Sequence, residues 1–169
     1  NLEQATNGKK LEEFWLNSIL SNPVTHEINT IGNALLLTAE RLPTRLAAST
    51  IEELLTLHGA LRPKAVTYAD TIVGAARTFT AARQAAKKGL YYLKTGASEF
   101  DVNKFREAGT IGPNQALEGS AGTVLNLPTR LLGAEDAVAF TMAYEGELAA
   151  QAVRAAQREG VNIFSASGV

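Results

Sequence analysis

The 169-residue chain has no cysteine, one methionine, one tryptophan and two histidines. The missing thiols exclude Cys-ligated zinc and iron–sulfur centres, disulfides and a cysteine nucleophile, and they leave the redox compartment open. A chain of this length can bury enough surface to fold without such staples. Charge of one sign is also lacking: 16 basic and 17 acidic side chains leave a formal net charge of −1, which argues against a general polyanion binder. No eighteen consecutive residues are apolar, so no spanning helix is expected. Strand signals are nearly absent.

The scarcity extends to catalytic constellations. His26 and His58 stand alone: neither has a second histidine four residues on, and no Glu-x-x-His pair exists for a carboxylate-bridged metal. The glycines form neither a phosphate loop nor a dinucleotide fingerprint. In Glu118-Gly119-Ser120-Ala121-Gly122 a glutamate occupies the position where a nucleophile elbow needs glycine. Glu135 and Asp136 diverge by about 100° on a helix, and Glu145 and Glu147 by about 200°. The first pair is expected in the first turns of a terminal helix, where the dipole favours negative charge. The expectation is a non-enzymatic chain with no metal and no cofactor.

What is present is alanine and leucine, 28 and 21 residues, arranged at helical spacing. Leu11, Phe14, Trp15 and Ile19 mark one side of a first helix that Asn22-Pro23 ends. Thr25 is expected to cap a second, with Ile28, Ile31, Leu35, Ala39 and Leu42 as its stripe, and Pro43 to break or kink it. The weakly charged stretch from Phe14 to Ala39 reads as a buried helical hairpin, with an interface or a membrane surface as alternatives. Thr50 with Glu53 reads as a capping box before a leucine-rich turn. From Lys64 to Lys94 one long central helix is expected, with Val66, Ala69, Val73, Ala76 and Phe79 as its inner stripe. Asp101 opens a short helix through Phe105, a Gly-rich loop or partner-binding arm follows near 108–122, and a last helix runs from Pro128 or Thr129 to Glu159, stopped by Gly160. Its Ala-rich face suits close approach of a neighbouring helix, within the molecule or between copies. The fold expected is all-α, a helical bundle or extended helical array, in a single segment over 1–169. Asn1 in place of methionine suggests an excerpt or processed piece of a longer protein.

Two patterns overlie this layout. Leu-Pro-Thr-Arg-Leu occurs at Leu42–Leu46 and again at Leu127–Leu131, each at a junction where proline suits a first helical turn; the flanks do not align, so duplication and coincidence both stand. Charge is segregated: residues 1–61 carry net −3, residues 62–106 net +6 and residues 107–169 net −4. On one long helix Arg77, Arg83, Lys87, Lys88 and Lys94 fall within a little under half of the circumference. That face suits phosphates, an acidic protein neighbour such as a second copy's terminal helix, or plain solvation.

The stretch from Phe14-Trp15-Leu16-Asn17 through Asn22-Pro23-Val24-Thr25-His26, with Asn29 and Gly32-Asn33-Ala34, resembles a segment of the internal virion, or ejection, proteins of tailed bacteriophages and of related large polyvalent phage proteins. Asn126-Leu127-Pro128-Thr129-Arg130-Leu131-Leu132-Gly133-Ala134-Glu135-Asp136, followed by Ala143-Tyr144, is similar to the C-terminal half of that segment. The resemblance implies a helical piece of a protein packaged inside the capsid, in several copies near the portal, that helps the genome leave and reaches the host envelope after ejection. Copies of itself, portal or other virion proteins, DNA and, transiently, a membrane are the partners it implies. It implies no catalytic residues in this segment. The acidic ends depart from what a dedicated DNA wrapper would carry.

Overall fold

The computed structural model describes residues 7–59, 64–96 and 119–161, and among them it contains helices and no strand, the all-α class expected. In chain order these are α1 (Asn7–Leu20), α2 (Pro23–Leu35), a π-helical turn (Leu36–Glu40), α3 (Arg41–Leu57), α4 (Tyr68–Thr80), α5 (Ala82–Thr95), α6 (Gly119–Leu125) and α7 (Leu127–Arg158). They fall into two compact units. One comprises Asn1–Asn33 with Gln84–Val138, the other Ala34–Arg83 with Ala139–Val169.

Helix boundaries follow local chemistry. Pro23 opens α2, where its missing N–H is no loss, and Asn22 Oδ1 accepts from the Val24 N–H at 3.1 Å. Asn22 therefore caps this helix and Thr25 lies inside it, one turn from the position expected. Thr50 is likewise inside α3, its hydroxyl returned to the Leu46 carbonyl at 2.8 Å. The capping box is found instead at α4, where Thr67 Oγ1 accepts from the Asp70 N–H and Asp70 accepts from the Thr67 N–H. Pro43 does not end its helix. The turn before it relaxes to π geometry, with the Arg41 N–H donating to the Leu36 carbonyl, and α3 continues. At the far end of α7, Gly160 takes φ +76°. Its N–H donates to Gln157 O at 3.2 Å and the Val161 N–H donates to Ala156 O at 2.9 Å, a Schellman stop.

The single central helix expected over 64–94 is two helices meeting at Ala81, and the first begins at Tyr68. Thr78 and Thr80 return their hydroxyls to the carbonyls of Gly74 and Arg77 at 2.9 and 3.2 Å, bonds that bend a helix. The expected inner stripe is also displaced: Ala76 and Phe79 are exposed, while Asp70, Thr71, Gly74 and Thr78 are buried. The short helix expected at Asp101–Phe105 and residues 108–118 of the expected Gly-rich loop lie outside the described residues. Residues 119–122 of that loop belong to α6.

In the first unit α1 and α2 are not a buried hairpin. Their contacts advance in one direction, Asn17 to Asn126 and Thr129, then Asn29 to Glu135 and Asp136. α5 runs the other way, Gly89 against Ala134 and Val138, and Tyr92 against Gly133. Tyr92 and Ala134 form the small apolar core, with Leu93 and Ala137 against it. In the second unit α4 runs opposite to α7, with Asp70 beside Arg154 and Arg77 beside Glu145, and Gly74 opposite Gly146 and Ala150. Small residues let these backbones approach. Alanine at Gly146 would place its Cβ 2.8 Å from the Gly74 carbonyl oxygen.

Candidate assembly surface

Among the described residues, buried apolar side chains are few and small: Ala81, Ala85, Ala134 and Ala150, with Tyr92 and Val153 the larger exceptions. Between the helices lie polar groups. In the first unit the Asn17 amide donates to the Glu13 carbonyl at 2.8 Å and to Asn126 Oδ1 at 2.6 Å. Asn17 Oδ1 accepts from Thr129, and Asn126 donates to the Glu13 carboxylate. All four side chains are buried, so each polar atom in the chain needs its neighbour. Further along, the Asn29 amide donates to both Glu135 and Asp136, at 3.0 and 3.1 Å, and Asn33 donates to Asp136. This pair of acids, expected to diverge, meets at one amide, about two turns into α7. His26 Nδ1 is 3.2 Å from Glu135 Oε1 without hydrogen-bond alignment. His58 is exposed and bonds only its own helix, at the Leu54 carbonyl.

The second unit has a charged seam in place of the amide one. Glu147 accepts from Arg41 at 2.8 Å, from Arg45, and from Arg154 at 2.9 Å. Asp70, fully buried, faces Arg45 at 3.5 Å and Arg154 at 3.2 Å. Burial by itself would raise the Glu147 carboxyl. Hydrogen bonds from Arg41 and Arg154, the charge of Arg45 and the Gln151 amide outweigh it and hold the pKa at about 2. Beside this seam a cleft of about 20 Å³, room for one water-sized molecule, is lined by Arg41, Arg45, Thr71, Thr78 and Phe79 among others. Among the described residues no group of three His, Asp or Glu is placed to hold a metal ion.

With polar groups inside, the large apolar side chains are outside. On α1, Leu11, Phe14, Trp15 and Ile19 are 48–74% exposed, and on α2, Val24, Ile28, Ile31 and Leu35 are 52–67% exposed. The buried face of α1 carries Glu13 and Asn17; the inner stripe of α2 carries His26, Asn29 and Asn33 at spacings of three and four. The apolar stripes read from the sequence are real, and they face the opposite way from the one expected. The order His26, Asn29, Asn33 was the available signal: a second helical stripe, as regular as the first and made of groups that hydrogen-bond.

The five basic residues singled out from the sequence divide between the units. Arg77 is exposed and donates to Glu145 from Nε and Nη2, at 3.1 and 2.7 Å; Arg83 is exposed in the same unit. In the other unit Lys87 and Lys94 are exposed and Lys88 is half-buried. Lys87 and Lys94 share the outer side of α5 with Leu90 and Tyr91, which are 57% and 53% exposed. Sequence reasoning missed Arg41, Arg45, Asp70 and Arg154, whose partners lie far along the chain. Compared with known proteins, the chain matches no family model, no curated protein and no solved structure.

Proposed function

We propose that this chain is a non-enzymatic structural module whose work is assembly: it packs its apolar outer helix faces against copies of itself. The observation that carries the reading is the inverted distribution of side chains. Aliphatic and aromatic groups such as Leu11, Trp15, Ile28, Ile31, Leu54, Leu57 and Ile72 are half to three-quarters exposed, while Asn, Thr, Asp and Glu fill the space between helices. Exposed apolar side chains on this scale, aligned along helix faces within each unit, mark an interaction site. The resemblance of the Phe14–Ala34 and Asn126–Asp136 stretches to internal virion proteins supports a more specific version, in which the module sits inside a phage capsid near the portal, alongside other virion proteins, and assists genome packaging or delivery.

Sedimentation velocity of the purified chain across a wide concentration range tests the reading. Oligomers whose population rises with concentration are expected, and a monomer throughout overturns it. The same outer faces favour a second reading, a module that lies on or inserts in the host envelope, since small residues and Asn or Thr bonds between helices with apolar groups outward is the packing pattern of helices in lipid. Among the described residues no helix is long and apolar enough to cross a membrane. Co-flotation with liposomes that is lost when charges replace Leu35 and Leu36 would favour this second reading over the first.

A further inference from the structure

The first unit carries two outer faces of opposite charge. On α1, Leu11, Phe14, Trp15 and Ile19 span an arc of about 140°, and on α2, Val24, Ile28 and Ile31 span about 60°. Both helices turn their polar stripes to α7, through Asn17 and Asn29, so each apolar stripe faces away from α7. Exposed Glu12 borders the stripe beside Ile19, and exposed Glu27 borders it beside Ile31; Lys10, beside Phe14, is the one basic residue at this border. On α5 of the same unit, Lys87, Leu90, Tyr91 and Lys94 lie within an arc of about 100°, opposite the buried Ala85, Gly89 and Tyr92. One face is apolar and bordered by two glutamates and one lysine, the other apolar and bordered by two lysines.

We infer that the α1–α2 face of one copy packs on the outer face of α5 of a second copy, head to tail. This rests on the assembly reading above and names its surfaces. Exposure supports it: seven large side chains on α1 and α2 stand half to three-quarters exposed, apolar surface that a partner copy would cover. Leu90, Tyr91 and the methylene stems of Lys87 and Lys94 supply the apolar counterpart. Charge decides between a second copy's α1–α2 face and its α5 face as the occupant. Two α1–α2 faces together would juxtapose glutamates, whereas α5 brings lysines to Glu12 and Glu27. Because the two surfaces differ, the contact repeats from copy to copy and produces a ring if its rotation closes or a filament if it does not.

The test is charge exchange in the full chain, read by sedimentation velocity with far-UV circular dichroism to verify folding. E12K/E27K and K87E/K94E should each weaken association about tenfold or more, and the quadruple variant E12K/E27K/K87E/K94E should restore it, which a folding defect would not do. K87E/K94E with unimpaired association, or a quadruple variant no better than E12K/E27K, overturns the inference and leaves assembly standing. Loss of DNA retention by K87E/K94E with unchanged oligomer mass also overturns it, since the lysines would then serve nucleic acid. A native chain that never associates removes the assembly reading itself.

Discussion

Replacing Glu147 with glutamine asks whether the charged seam holds its unit together. The carboxylate takes hydrogen bonds from Arg41, Arg45 and Arg154, and its side chain is 29% exposed. The amide keeps the shape and some of the bonds and removes the charge, leaving Arg45 and Arg154 with the Asp70 carboxylate and Arg41 with no ion-pair partner among the described residues. Burial works against the ionised form, and the three arginines and Gln151 prevail, so the pKa stands at about 2 in place of 4.5. At about 1.4 kcal/mol per pKa unit, that fall corresponds to at most about 3 kcal/mol. A carboxyl whose folded pKa is depressed contributes stability in full above its unfolded value and loses it as pH falls toward the folded one. Solvent screens this partly exposed pair, so E147Q should lower the unfolding free energy by about 1–3 kcal/mol at neutral pH. The deficit should shrink below pH 4.5 and be mostly gone near pH 2. Urea unfolding followed by circular dichroism at one fixed protein concentration, repeated from neutral to acid pH, measures both. A variant within about 0.5 kcal/mol of the native chain at neutral pH, or a deficit equally large at both ends of the range, refutes the reasoning.

Other perturbations probe the remaining contacts. G146A forces a methyl group against the Thr78 hydroxyl and the Gly74 carbonyl, so overpacking of about 1–3 kcal/mol should exceed the helix-propensity gain of about 1 kcal/mol. G32A meets nothing within 4 Å and should stabilise by roughly 0.5–1 kcal/mol; thermal melts of the two, moving in opposite directions, check both. N17A orphans Asn126 and Thr129 in a buried site and should cost about 1–3 kcal/mol in urea unfolding. T67A removes the capping box of α4 and should cost about 1 kcal/mol, with amide exchange rising first at residues 68–71.

The fold class was legible because helical spacing, Pro23, Pro128 and Gly160 all act locally. The orientation of the faces was not. In α2, Val24-Ile28-Ile31-Leu35 and His26-Asn29-Asn33 have the same period, and periodicity establishes that two faces exist without saying which is inside. Assigning the larger apolar stripe to the interior is sound when a helix packs against a neighbour with room for it. Here Asn126 just before α7 and Thr129, Glu135 and Asp136 on it face α1 and α2, and Gly133, Ala134 and Gly146 lie elsewhere on α7, so the partners select amides and small groups. The Ala-rich face of the terminal helix was read correctly as a close-approach surface. The basic middle segment and acidic terminal helix do meet, but through Arg77 and Glu145 within one chain, a pairing 68 residues apart that no local pattern announces. The Thr67–Asp70 capping pair lies inside an alanine-rich, proline-free run that opens at Lys64, so the helix start it makes has no break in composition to announce it.

The polar interior has a calorimetric consequence. The heat-capacity change of unfolding grows with exposed apolar area and is reduced by exposed polar area. A unit that hides asparagine, threonine and carboxylates while leaving leucine, isoleucine and tryptophan in water has little apolar surface left to expose on melting. Its folding should thus leave a shallow heat-capacity step and a flat stability curve, while the large negative heat-capacity change that most domains register on folding should appear when the outer faces are covered. On the assembly reading proposed above, the hydrophobic effect belongs to association more than to folding, and warming should strengthen contacts between copies while barely altering the fold of each.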